Sequence, residues 1–217
     1  VILIGNPCPQ PQLMRSDPAT LSEKRRPIVL WGPVAKMWVA RLLVQISEAA
    51  LFTFLLVWLQ SISPTFQEND AARVLTVVLV IAIPVAMVVG RWADRRRRAI
   101  QPLWIAASIA AAGLLLMALA QSLPMAIAGY LVFGVSGAVF LALHSAQTLR
   151  VLPKPETRGR DLGFFNLTNT VPSLVMPGIT LALVPKFGFF GLFIALAILA
   201  GLSAALLFSF SLRHTDA

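Results

Sequence analysis

The stretch GRWADRRRR, residues Gly90–Arg98, separates two apolar runs, Val74–Val89 and Pro102–Ala120. Both runs are almost free of charge, and each is long enough to predict a segment that crosses a bilayer. Connections between membrane spans that are rich in Lys and Arg stay on the cytoplasmic side. The stretch therefore predicts a cytoplasmic turn between two transmembrane helices, and this turn orients the rest of the chain.

The composition excludes most other classes of protein. Hydrophobic residues make up 58% of the 217 residues and charged residues only 12%, with a mean hydropathy of +0.80. A soluble domain needs more surface charge, so the chain is expected to be an all-α integral membrane protein. The single cysteine, Cys8, excludes an internal disulfide and a cysteine metal site. We expect no cofactor, and no nucleic-acid partner despite the net charge of +9.

Hydropathy divides the chain into two regions. Residues 1–36 are predicted to be the end of a preceding helix followed by a central cytoplasmic loop, which is polar and contains Lys24, Arg25 and Arg26. Residues 37–217 are predicted to form a transmembrane domain, because each segment approaches the roughly 20 residues that one span needs. Its six predicted helices are Met37–Gln60, Val74–Gly90, Pro102–Ala120, Met125–Thr148, Leu162–Val184 and Phe187–Leu212.

The charges of the connections alternate along the chain. Basic residues lie before the first helix, between the second and third, and between the fourth and fifth, whereas the other connections carry few. The positive-inside rule then predicts that both ends of the domain are cytoplasmic. We expect a multi-pass protein of the inner or plasma membrane of a bacterium, with the lipid bilayer as its surroundings.

The first predicted helix carries the strongest candidates for function. Arg41, Gln45 and Glu48 are spaced by four and three residues, so they share a helix face. Glu48 falls near the middle of the span, where a charge costs at least about 2.5–3.5 kcal/mol and normally faces a cavity or a partner. We predict that it binds solute or couples protons. The alternative is a structural ion pair with Arg41.

Polar residues also mark the fourth and fifth predicted helices. His144 and Gln147 lie on one face of the fourth helix, away from a ridge of small residues suited to helix packing. On the fifth, Asn166, Thr170 and Ser173 form a polar stripe at intervals of four and three, with Asn169 beside it. Such residues either line a solute pathway or hydrogen-bond to neighbouring helices. Both interpretations remain open for these polar residues.

The arginine stretch resembles the signature loop of the major facilitator superfamily, whose pattern is Gly-x-x-x-Asp-Arg/Lys-x-Gly-Arg-Arg/Lys. Gly90, Asp94, Arg95 and Arg98 match it, whereas Arg97 stands where the second glycine is expected. In that family the loop acts as a cytoplasmic gate, and its aspartate pairs with a helix end. The resemblance implies the same gating role for the four matching residues.

The resemblance covers the chain from about Met37 to its end and is closest to the C-terminal six-helix half of such a transporter, a 3+3 inverted repeat. It implies a secondary active transporter, not an enzyme, that moves a small solute by alternating access with proton coupling. The N-terminal six-helix half would be the missing partner. The fifth helix, with Asn166, Asn169 and Pro172, is similar to sugar–proton symporters of the sucrose and glycoside type, which implies a sugar as the solute.

Two other functions are compatible with parts of the sequence. Gly134-Val135-Ser136-Gly137 looks like the nucleophile motif of rhomboid intramembrane proteases, but the sixth predicted helix contains no histidine. His144 lies two turns from Ser136 on the same helix, about 12 Å away along the axis, which is too far for a base. The other alternative is a structural membrane subunit, which a closed salt bridge at Glu48 would favour.

Overall fold

The computed structural model describes residues 33–96, 100–151 and 158–213. Every element in these ranges is an α-helix, as the sequence predicts. The helices are α1 (Pro33–Ile62), α2 (Glu68–Arg96), α3 (Gln101–Ala118), α4 (Leu123–Val151) and α5 (Arg158–Arg213). Of the region 1–36 predicted as a helix end and cytoplasmic loop, residues 1–32 lie outside the described residues, and residues 33–36 already belong to α1.

Most of these helices are long and apolar enough to cross a membrane. Four described stretches meet that description: Glu68–Arg96, Gln101–Ala118, Leu123–Thr148 and Asn166–Ser211. Helix α1 would be a fifth span if its parts Ala35–Leu51 and Thr53–Ile62, which meet at an angle of 52°, are counted together. The stretch Asn166–Ser211 has 46 residues, about twice the length that one span requires.

Helix α5 consists of two arms that meet at Gly188. This glycine has φ 65° and ψ −170°, a left-handed conformation that favours glycine. In a straight helix Asn169 and Leu196 would lie about 40 Å apart. Yet Asn169 bonds to Gln45 and Leu196 bonds to Ser47, two residues further along α1. The chain therefore turns back at Gly188, close to the predicted break between the fifth and sixth helices. We call residues 158–187 the first arm and residues 189–213 the second arm.

The second arm packs antiparallel to α1. The Ser203 hydroxyl donates to the carbonyl of Ala40 at 2.9 Å, and the Ser47 hydroxyl donates to the carbonyl of Leu196 at 3.3 Å. Both serines are fully buried. Because residue numbers rise in one helix as they fall in the other, the two helices run in opposite directions. These bonds join α1 to the second arm without using any residue predicted for function.

Helices α3 and α4 approach each other through glycines. A Cβ atom added to Gly113 would lie 2.6 Å from the backbone nitrogen of Phe133, and one added to Gly129 would lie 3.0 Å from that of Met117. No side chain fits at such distances, so two backbones come into contact as membrane helices with small residues do. This contact packs α4 against α3, while Gly134 of α4 faces Val78 of α2.

The arginine stretch is helical for most of its length, which corrects the predicted turn. Helix α2 continues through Gly90 and ends at Arg96, while residues 97–99 lie outside the described residues. None of the residues from Arg91 to Arg96 disfavours helix strongly, and arginines in a last turn are stabilised by the helix dipole. The membrane boundary at this stretch stays a prediction, and charge density did not indicate where the helix ends.

Candidate functional site

A cavity of about 430 Å³ lies between α1, α2, α4 and the first arm of α5. This volume falls within the range of small-molecule sites. Its lining is mostly apolar, with a few polar side chains from α1, α4 and α5. The lining residues are Gln45, Glu48, Ala49, Leu51, Leu75, Val78, Leu79, Tyr130, Phe133, Gly134, Ala138, Asn169 and Pro172.

Glu48 is the charged residue of this lining. Within the described part of the chain its carboxylate makes no hydrogen bond and no ion pair; it interacts only electrostatically, with Arg41 and with the hydroxyl of Tyr130. A carboxylate without hydrogen bonds among apolar side chains destabilises the protein, unless another group beside it, such as a ligand, pairs with it. The closed salt bridge that would favour a structural subunit is not formed among these residues.

A chain of amides joins α1 to the first arm beside Glu48. Gln45 Nε2 donates to Asn169 Oδ1 at 2.6 Å, and Asn169 Nδ2 donates to Asn166 Oδ1 at 2.9 Å. We call these three residues the amide relay. The remaining oxygen, Gln45 Oε1, is buried and has no hydrogen-bond partner among the described residues. The relay therefore positions Gln45 and also leaves it one acceptor.

Arg41 does not join Gln45 and Glu48 at the cavity. Its Nη1 donates to the Ser145 hydroxyl of α4 at 2.7 Å, while its Nε is buried with no partner among the described residues. The predicted shared face of α1 is thus divided between two neighbours. Gln45 and Glu48 line the cavity, and Arg41 links α1 to α4.

His144 and Gln147 are buried and lie outside the cavity lining. His144 Nε2 lies 2.8 Å from the Met37 carbonyl, so it must donate, and Nδ1 then accepts from the Thr148 hydroxyl at 3.2 Å. The ring of Phe140 packs beside it with a centroid distance of 5.5 Å. Both ring nitrogens are satisfied inside the bundle, which is the geometry of a packing residue. The part of these two residues in a solute pathway stays a prediction.

The other polar residues of the region, Thr170 and Ser136, do not line the cavity. Thr170 is exposed and does not line the cavity, although Pro172, two residues on, does. The Ser136 hydroxyl donates to backbone carbonyls of its own helix, at 2.6 Å to Val132 and 3.0 Å to Phe133. His144 bonds elsewhere, so nothing in this geometry favours the protease alternative. Among the described residues, no group of three or more His, Cys, Asp or Glu could hold a metal ion.

The predicted gating residues lie at the end of α2, away from the cavity. Asp94 and Arg95 are exposed, and Arg96 stacks over the ring of Trp92 at 5.6 Å. Gly90 faces Leu143 of α4, where an added Cβ would find an ordinary contact at 3.5 Å. Arg98 lies outside the described residues. A gating role for these four residues stays a prediction.

Sequence reasoning missed the aromatic wall of the cavity. Tyr130 and Phe133 of α4 face it together with Leu75 and Val78 of α2. Apolar lining residues cannot be distinguished from lipid-facing or core residues by hydropathy, because all three environments favour the same side chains. Tyr130 is the chain's single tyrosine, and its hydroxyl was the one available signal.

Comparison with protein families assigns the chain. The model of the Major Facilitator Superfamily matches residues 24–217. The chain belongs to this family. It is therefore a multi-pass integral membrane protein of a superfamily that transports small solutes, and its members are generally transporters rather than enzymes. Comparisons with curated proteins and with solved structures found no match.

Proposed function

We propose that the chain is the C-terminal six-helix half of a secondary active transporter that couples solute movement to protons by alternating access. The placement of Glu48 carries the proposal. It is the charged side chain in a small-molecule cavity, and it has no hydrogen-bond or ion-pair partner among the described residues. A coupling site needs a group that can exchange a proton and is reached by the solute, and such groups are found among ionisable residues inside membranes.

The fold supports this proposal in two ways. The six helical segments, counting the two arms of α5, correspond in order to the six predicted spans. In this family the solute site lies between two six-helix halves near the bilayer midplane. The cavity would then be one wall of that site, and an N-terminal half would supply the other. The 3+3 repeat belongs to the same proposal.

The pathway residues that we propose are Glu48 for protons, with Gln45 and Asn169 beside it for the solute. The amide relay extends the pathway to Asn166 and connects it to a helix arm that contains prolines at 172, 177 and 185. Each proline lacks the backbone N–H of a regular helix, and helices with such prolines are typical of transport sites. A sugar, which the resemblance of the fifth predicted helix implies, is one candidate solute.

Solute-dependent proton flux tests the proposal. The full-length protein would be reconstituted in vesicles with a pH-sensitive dye inside, and a panel of small solutes added outside. We expect at least one solute to move protons, and Glu48→Gln to abolish that flux because the side chain keeps its shape but no longer titrates. Glu68→Gln is the matched control, since Glu68 is exposed at the start of α2 and does not line the cavity. Full flux in the Glu48 variant would refute proton coupling at this residue.

Cysteine labelling tests the proposed orientation. In a Cys8→Ser background, Arg96→Cys at the end of α2 should react with an impermeant maleimide only from the cytoplasmic side. Glu68→Cys at the other end of the same helix should react only from outside. Both residues are exposed, so accessibility is matched. The reverse pattern would overturn the orientation and with it the cytoplasmic position of both ends.

A further inference from the structure

The polar atoms of the cavity differ in what they have left to bind. Each amide nitrogen of Gln45 and Asn169 already donates one hydrogen bond, and Asn169 Oδ1 already accepts one. By contrast, Gln45 Oε1 and the Glu48 carboxylate have no hydrogen-bond partner in the described part of the chain. Both are acceptors, and a carboxylate can accept up to about four hydrogen bonds. The Tyr130 hydroxyl, which also has no hydrogen-bond partner among the described residues, can donate or accept, and each amide nitrogen keeps a second N–H. Counted together, the free sites of this wall are mostly acceptors, which favour a ligand that donates hydrogen bonds.

The charge of the cavity favours the same kind of ligand, a hydrogen-bond donor that carries positive charge. Among its lining residues that the structure describes, Glu48 alone carries a formal charge. Arg41, the basic residue that interacts electrostatically with Glu48, is turned toward Ser145 of α4 and does not line the cavity. The wall therefore presents a carboxylate that can pair with a cation brought by the ligand. An anionic solute would meet repulsion here, because like charges in a site of low dielectric disfavour each other.

The rest of the lining determines what the uncharged part of the ligand can be. Phe133 and the ring of Tyr130 stand with Leu75, Val78 and Leu79, so most of the surface around the acceptors is apolar or aromatic. Small-molecule sites combine such walls with a few polar groups that fix orientation. Aromatic faces also attract cations. A polyhydroxylated solute would leave most of its hydroxyls against apolar side chains, where unpaired polar groups are costly.

We infer that the solute is an organic cation with N–H donors and an apolar or aromatic body, such as a primary amine or an amidine, rather than a sugar. The ammonium or amidinium group pairs with Glu48 and donates to Gln45 Oε1, while the body lies against Phe133 and Tyr130. The inference rests on the proposed function, because it takes this cavity as the solute site.

Three probes that share a phenylethyl body test the inference on the unmodified full-length protein in nanodiscs, by calorimetric titration without a pH gradient. The probes are 2-phenylethylammonium, its N,N,N-trimethyl derivative and 2-phenylethanol, with methyl glucopyranoside as the sugar probe. We expect the primary ammonium to bind about tenfold or more tightly than the alcohol, because hydrogen bonds between charged groups are stronger than those of a neutral hydroxyl. The trimethyl derivative, which has charge but no donor, should lie between them.

Two variants assign the effect to Glu48. Glu48→Gln should remove the preference for ammonium over alcohol, and Glu68→Gln should keep it. An alcohol or glucoside that binds as tightly as the ammonium overturns the inference, and so does an absence of ammonium binding. Different outcomes would refute the proposed transport function and the inference of a cationic solute. If only neutral solutes drive proton flux, the proposed transport function holds and the inference of a cationic solute is refuted. If ammonium binds in a Glu48-dependent way but no solute drives flux, the transport function is refuted and the cation site holds.

Discussion

Glu48 in α1 and His144 in α4 are both polar side chains in membrane helices, but they differ in their hydrogen bonding. His144 is fully buried, and each ring nitrogen is hydrogen-bonded within the bundle, to Met37 and to Thr148. Glu48 lines a cavity and has no such partner among the described residues. The difference separates polar residues that hold helices together from those that remain available to a ligand. Unmet hydrogen-bonding capacity, rather than polarity, distinguishes the two.

Replacement of His144 should have the largest effect on stability in this comparison. His144→Ala removes a buried ring and two hydrogen bonds, so we expect a loss of about 2–4 kcal/mol, measured as a lower midpoint in thermal unfolding of the solubilised protein. His144→Phe keeps the volume and loses only the hydrogen bonds, so its loss should be smaller. Equal losses in both variants would show that hydrogen bonding, not packing, dominates at this position.

Glu48→Gln should have the opposite sign. Removal of a charge without a partner relieves desolvation, so the free energy of unfolding should rise, by roughly 1–2 kcal/mol. The midpoint of thermal unfolding measures this, with Glu68→Gln as the control that changes the same charge at an exposed site. A lower midpoint in Glu48→Gln alone would mean that the carboxylate is held by a structural partner, which would revive the structural-subunit alternative.

The amide relay should give the smallest effect on stability, because its hydrogen bond joins two neutral amides and one of its oxygens has no partner among the described residues. Gln45 bonds to Asn169 across the helix boundary but keeps an unpartnered oxygen. A double-mutant cycle with Gln45→Leu and Asn169→Leu should yield a coupling of about 0.5–1 kcal/mol in thermal unfolding. Strict additivity would show that this 2.6 Å contact does not stabilise the pairing of α1 with α5.

The sequence by itself determined the class of the protein and the order of its helices. Hydropathy and segment length are local properties, so the helices lie close to their predicted places and the break in α5 falls at Gly188, near the predicted end of the fifth helix. The spacing of Gln45 and Glu48 correctly placed both on one face, since helical periodicity is also local. The signature residues around Asp94 indicated the superfamily that the family comparison shows.

Only the tertiary structure decided which polar residues meet. Gln45 and Asn169 are 124 residues apart, and His144 and Met37 are 107 apart. No periodicity relates such positions; they meet because particular helices pack side by side. The same packing turned Arg41 toward Ser145, buried His144, and brought Tyr130 and Glu48 to the same cavity. A sequence states which side chains a helix carries on each face, but burial and partners depend on the neighbouring helix, and these decide whether a polar group is satisfied or left for a solute.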